Sequence, residues 1–88
     1  MNTLETTYTG CMPVVNVGGV LLAVERDIDY VTVDVNGLVQ GWLEARPYFD
    51  GDEKTWSSFE LYGRQVLLAK FSTPVTNEAI ETLIEVYA

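Results

Sequence analysis

Apolar residues recur at every second position through much of the chain before Thr73, the period of half-buried strands rather than of helices. Two such runs, Pro13-Val14-Val15-Asn16-Val17 and Val20-Leu21-Leu22-Ala23-Val24, flank Gly18-Gly19, a pair able to take the positive φ angles of a tight hairpin turn. One strand kinked at the glycines is the alternative. A second pair, Tyr30-Val31-Thr32-Val33-Asp34 and Leu38-Val39-Gln40-Gly41-Trp42-Leu43, flanks Val35-Asn36-Gly37. A two-residue Asn36-Gly37 turn would put Gln40 on the face of Val31 and Val33. A three-residue loop with Gly37 left-handed instead pairs Asp34 with Leu38 and gathers Val31, Val33, Val39, Gly41 and Leu43 on one face. The second register separates apolar from polar better, and it is the one expected. Tyr30 and Trp42 then face each other on the less buried side, with Thr32, Asp34 and Gln40.

A third hairpin is expected from Ser57 to Tyr62 and from Gln65 to Phe71, turning at Gly63-Arg64. Pairing Tyr62 with Gln65 sets Phe59, Leu61, Val66 and Leu68 on a core face. After Thr73-Pro74, an N-cap and first helical position, the period changes. Ile80, Leu83, Ile84 and Tyr87 fall on one helical face, with Glu78, Glu81 and Glu85 on the other. Thr3 to Thr9 is rich enough in Thr and Tyr for an edge strand. The expected fold is α+β: an antiparallel sheet of hairpins, about five to six strands, with one C-terminal helix packed on it. Residues 1–88 form one domain, since 88 residues lie near the lower limit for a single unaided core.

Charge changes this picture more than length does. Thirteen Asp and Glu stand against five Lys and Arg, a net charge of -8. Such a field repels phosphate backbones, so direct nucleic-acid binding is disfavoured and a protein partner with a basic surface is expected. The alternative is that acidity only keeps a small protein soluble. Cys11 is the sole cysteine, which leaves no internal disulfide. Neither a signal-peptide pattern nor a membrane-length apolar run is present, so a cytoplasmic protein with no membrane contact is expected.

Candidate chemistry is sparse. The chain has no histidine, which removes the commonest general base and transition-metal ligand. Gly18-Gly19 lacks the further spacing of a nucleotide loop. Carboxylates are the abundant reactive groups. Glu25, Asp27 and Asp29 alternate, and on a strand they would point to one side; Asp50, Asp52 and Glu53 cluster after Pro47. Neither set matches a calcium loop, and a glycoside-cleaving pair needs a cleft this chain hardly builds. The expectation is therefore no enzyme, no cofactor and no metal. The long connection from Glu44 to Trp56 mixes Tyr48, Phe49 and Trp56 with charges, the composition of an interface, unless those rings fold inward to cap the core.

The series Tyr30, Asp34, Asn36-Gly37, Trp42, Arg46-Pro47 and Trp56 resembles the hairpin, proline and tryptophan arrangement of small acidic phage- or prophage-encoded accessory proteins. Anti-CRISPR proteins, which block host defence complexes, are among these. The resemblance implies a compact inhibitor or adaptor in the host cytoplasm that occupies a basic, often nucleic-acid-binding, surface, as a DNA mimic would. The residues expected to meet the partner are Glu25, Asp27 and Asp29, the loop residues Tyr48, Phe49, Asp50, Asp52 and Glu53, and Glu78, Glu81 and Glu85. Two other roles stay open. One is a self-associating assembly protein with Tyr30, Trp42 or Leu67 at the contact. The other is an oligomeric sponge for a small anionic ligand such as a nucleotide, held by Arg26, Arg46 and Arg64.

Overall fold

A computed structural model of the chain describes residues 12–58 and 64–86. Its strands are β1 (Val14–Val17), β2 (Val20–Ala23), β3 (Tyr30–Val33), β4 (Leu38–Leu43), β5 (Tyr48–Asp50), β6 (Thr55–Ser57), β7 (Arg64–Lys70) and β8 (Ile84–Glu85). The one helix among the described residues, α1, runs Asn77–Ile80. The protein is thus mostly antiparallel sheet with a single short helix. Its central sheet has the order β7-β4-β3-β8, and β1-β2 and β5-β6 are separate two-stranded ribbons. Among the described residues eight strands stand where five to six were expected, because the connection after Glu44 and the C-terminal segment both form strands.

The first two hairpins follow from their turn residues. Val17 pairs with Val20 across Gly18 and Gly19, whose φ angles are +56° and +91°. Both angles belong to the left-handed region, where a side chain is costly. In the second hairpin Val33 pairs with Val39 and Thr32 with Gln40, which is the three-residue-loop register. Asp34 organises that loop. Its Oδ1 accepts from the backbone N–H of Asn36 at 2.9 Å and of Leu38 at 3.0 Å, while its carbonyl accepts from Gly37 N–H at 2.9 Å. Asp34→Ala is expected to cost roughly 1–3 kcal/mol, since two N–H groups lose a charged acceptor in a partly buried turn. Asp34→Asn keeps an oxygen there and should cost clearly less, as urea denaturation of the two variants will measure.

Alternation along β3 and β4 buries both faces of the central sheet. On one side Val31, Val33, Val39 and Leu43 join Val15, Val17, Val24 and Ile28 in the main core. On the other, the side expected to be less buried, Thr32 and Trp42 are only 1% and 2% exposed. The reason is the β5-β6 ribbon. It packs through β6 against β3, and Ala45, Trp56 and Ile80 are buried with it, outside the main core cluster. Trp42 Nε1–H donates to Thr32 Oγ1 at 2.9 Å, and Trp56 Nε1–H donates to the Ile80 carbonyl at 2.8 Å. Each buried indole therefore keeps its polar atom satisfied.

The C-terminal helix expectation fails for a physical reason. The helix is one turn long, capped by Thr76, whose side chain accepts from Ala79 N–H at 3.2 Å. Its last turn carries no cation to offset the dipole, and β-branched residues follow at 82, 84 and 86. Ile84 and Glu85 instead pair with Val31 and Tyr30 of β3. Of the expected third hairpin, the first strand and turn fall largely on residues 59–63, outside the described residues, and only its flanks are placed. Ser57 lies in β6, paired with Tyr48 of β5, and the partner of β7 among the described residues is β4. Val66 is exposed rather than core, and Leu68 is half-buried against the core. Phe59, Leu61, the Gly63 turn position, Tyr87, Cys11 and the proposed Thr3–Thr9 strand lie outside the described residues.

Candidate interaction surface

The carboxylates expected to form rows are dispersed by the fold. Glu25, Asp27 and Asp29 are exposed, but they sit on the turn between β2 and β3, where Ile28 N–H reaches the Glu25 carbonyl at 3.1 Å, so no strand aligns them. Asp29 Oδ2 accepts from Glu44 N–H at 3.0 Å and so holds the end of β4. Glu44 itself has φ +73°, and Ala45 N–H bonds the Leu43 carbonyl at 2.8 Å across it, a tight γ-turn that is rarely adopted outside glycine. Glu78 lies in α1, Glu81 caps its C-terminus and Glu85 lies in β8, so they share no helical face.

The connection 44–56 is a β-hairpin rather than an open loop. Asp50 shapes its tip, with Oδ1 accepting from Asp52 N–H at 3.0 Å and Glu53 N–H at 3.2 Å. Phe49 is cross-strand from Trp56, with ring centroids 5.2 Å apart. Trp56 folds inward, Phe49 is half-buried and Tyr48 stays exposed, as do Asp52 and Glu53. The aromatic series is thus divided between cap and surface. Of the arginines suggested for an anionic ligand, Arg46 lies 3.9 Å from Glu85 and over the Tyr30 ring, and Arg64 lies 3.9 Å from Glu44. Their nearest charges are carboxylates, an arrangement that competes with any anion.

The feature sequence reasoning only touched is β7. Among the described residues it borders β4 on one side and ends the sheet on the other. Val66 pairs with Gly41 and Leu67 with Gln40, adjacent β4 positions, so their side chains leave the sheet on opposite faces. Both are solvent-exposed, Val66 by 45% and Leu67 by 62%. Leu68 is the extra residue of a bulge, because Gln40 pairs with Leu67 while Val39 pairs with Ala69. Arg64 and Lys70 close the two ends of the strand, which contains no acid. The signal for this was available: Val66-Leu67-Leu68 is a solid apolar run, too apolar for one buried face alone.

Concave sites are modest. A shallow cleft of about 310 Å³ lies between the β1-β2 turn and α1, with Asn16, Thr76, Glu78 and Thr82 on its walls. Among the described residues, no group of three or more His, Cys, Asp or Glu is placed to hold a metal ion, and no helix is long and apolar enough to cross a membrane. No family model matches the chain, and no match is found among curated proteins or solved structures. Fold and surface together define a small antiparallel β domain covered on both faces of its central sheet. Its least covered apolar side chains include those on the sheet edge at β7 and on the outer side of the β1-β2 ribbon, where Val14 and Leu21 are exposed.

Proposed function

We propose that the protein is a non-catalytic assembly domain that works by strand-to-strand contact along β7. The observation that carries this reading is the exposure of Val66 and Leu67 on opposite faces of β7, an edge strand among the described residues. A partner docking onto a face of the sheet covers only one of them. A further strand alongside β7 covers both, and it also takes up the N–H and C=O groups of the edge. Sedimentation velocity across micromolar concentrations is the test. The wild type should associate, and Leu67→Lys should sediment as a monomer with an unchanged melting temperature. A wild type that stays monomeric into the millimolar range overturns the reading.

A second reading keeps the phage-type inhibitor or adaptor in a host cytoplasm, free of self-association, and is favoured by the net charge of -8 and by the exposure of Glu25, Asp27, Asp52, Glu53, Glu78 and Glu81. Because these acids occupy separate turns, they suit long-range steering toward a basic protein more than a ladder of phosphate positions. This reading requires a monomer whose association with a basic partner slows steeply as salt rises.

A further inference from the structure

We propose that Asn36 is a site of spontaneous covalent modification, timed by opening of the β3-β4 turn, and that one of its two products keeps the turn from closing again. Asparagine occurs at positions 2, 16, 36 and 77, and only Asn36 precedes a glycine. Glycine has no Cβ to crowd its nitrogen or limit its backbone angles, so an Asn-Gly pair lets the backbone nitrogen reach the preceding side-chain amide most readily.

The reaction needs water and no other reagent. The Gly37 nitrogen gives its proton to solvent base and attacks Asn36 Cγ. A C–N bond forms, the bond from Cγ to Nδ2 breaks, and ammonia leaves. Water then opens the succinimide. Opening at the former side-chain carbonyl gives aspartate. Opening at the main-chain carbonyl gives isoaspartate, with the chain rerouted through Cβ and Cγ. Either way, one amide and one water become one carboxylic acid and one ammonia.

The folded turn admits the solvent but withholds the nucleophile. Asn36 is exposed, so base and water reach it. Gly37 N–H, however, donates to the Asp34 carbonyl at 2.9 Å, and Gly37 has φ +81°. That pattern is a type I turn followed by a left-handed residue, with Asn36 at the second central position, where ψ is about 0°. Closing the ring requires a different rotation there, and three contacts resist it. Asp34 Oδ1 holds the N–H groups of Asn36 and Leu38 at 2.9 and 3.0 Å. Val35 N–H donates to the Lys54 carbonyl at 3.2 Å, tying the turn to the tip of the β5-β6 ribbon. The Gly37 carbonyl accepts from Phe71 N–H at 2.8 Å, and a Cβ on Gly37 would stand 3.1 Å from the Phe71 carbonyl oxygen. Ring closure therefore waits for local opening, and its rate follows the open population.

The two products act differently on the fold. Aspartate leaves the backbone path unchanged and adds one charge at an exposed position. Isoaspartate inserts an extra main-chain carbon between positions 36 and 37. Gly37 then cannot meet Asp34 and Phe71 together, and the three-residue loop that sets the β3-β4 register is lost.

The test is to age the full chain at mildly alkaline pH and follow its tryptic peptide 27–54 by mass spectrometry. Pro47 blocks cleavage after Arg46, and Asn36 is the sole asparagine in that peptide. Asp50-Gly51 can close a similar ring, but it loses and regains water, so its mass does not change. The mass gain of deamidation should appear in the folded chain about tenfold or more slowly than in the urea-unfolded chain. Asp34→Ala should speed the folded reaction by about tenfold, and Asn36→Gln should remove it. The aged isoaspartate fraction should melt below Asn36→Asp, which carries the other product. If Asp34→Ala does not fold, folded and unfolded wild type still decide the matter. No mass gain at Asn36 in the unfolded chain overturns the site, and equal rates in both states overturn its control by the turn. An aged isoaspartate fraction that melts like Asn36→Asp overturns the structural consequence.

Discussion

Trp56→Ala is expected to lower the unfolding free energy by about 3–5 kcal/mol, a large share of what a domain of this size holds. Trp56 links three parts of the chain. It pairs with Phe49 inside the β5-β6 ribbon, it belongs to the strand that packs on β3, and its Nε1–H donates to the Ile80 carbonyl at the end of α1. Truncation removes the ring contacts and leaves a cavity between ribbon and sheet. It also strips a donor from a carbonyl whose residue is buried. Trp56→Phe separates the two effects, because it keeps an aromatic ring but not the N–H, and about 1–3 kcal/mol is expected for it. Guanidinium denaturation of the pair decides the matter. A loss under about 1 kcal/mol for the alanine variant would mean that the ribbon is not part of the cooperative fold.

Gly41→Val is the second large effect, and its cause is steric. A Cβ at position 41 would stand 2.9 Å from Ile28 Cδ1, 3.1 Å from Ile28 Cγ2 and 3.2 Å from Leu68 Cδ1. Ile28 is buried, and its Cγ2 is fixed by the branch at Cβ, so it yields less readily than a terminal methyl. Overpacking of this kind costs about 3 kcal/mol for valine, and Gly41→Ala should cost less, roughly 1 kcal/mol. The contact can be isolated by a double-mutant cycle. Ile28→Val alone should destabilise by about 0.5–1.5 kcal/mol through the lost methyl. Combined with Gly41→Ala it should cost less than the sum of the single changes, because removing Cδ1 opens the space the new methyl needs. Strict additivity would show that the new methyl is accommodated elsewhere.

Local turn chemistry made the first half of this fold readable. Gly18-Gly19 and Asp34 through Gly37 specify their loops within a few residues, and the choice of register followed from which residues shared a face. The C-terminal segment misled for a reason that can be stated. Ile80, Leu83 and Ile84 satisfy a helical period, but Ile80, Thr82, Ile84 and Val86 are also β-branched at every second position, and that strand signal is the one satisfied after Ile80. Trp42 was expected on the less buried side because nothing nearby in sequence announces the ribbon that covers it. Triplets Tyr48-Phe49-Asp50 and Thr55-Trp56-Ser57 around an acidic turn are a hairpin pattern in retrospect, with an aromatic pair across the strands. The surface was the least legible part. Alternating acids read as rows only if they lie on regular elements, and Glu25 to Asp29 form a turn. Leu67 could be named as a contact residue, yet its place on an edge depends on β7 pairing with β4, a non-local event that no short window encodes.

The placement of the two tryptophans has an optical consequence. One indole belongs to the central sheet and donates to a hydroxyl, the other belongs to the added ribbon and donates to a carbonyl, and both are nearly dry. The protein therefore carries one intrinsic fluorophore in its central sheet and a second in the β5-β6 ribbon. Single-tryptophan forms can be watched by emission colour as sheet and ribbon come apart, without any external label.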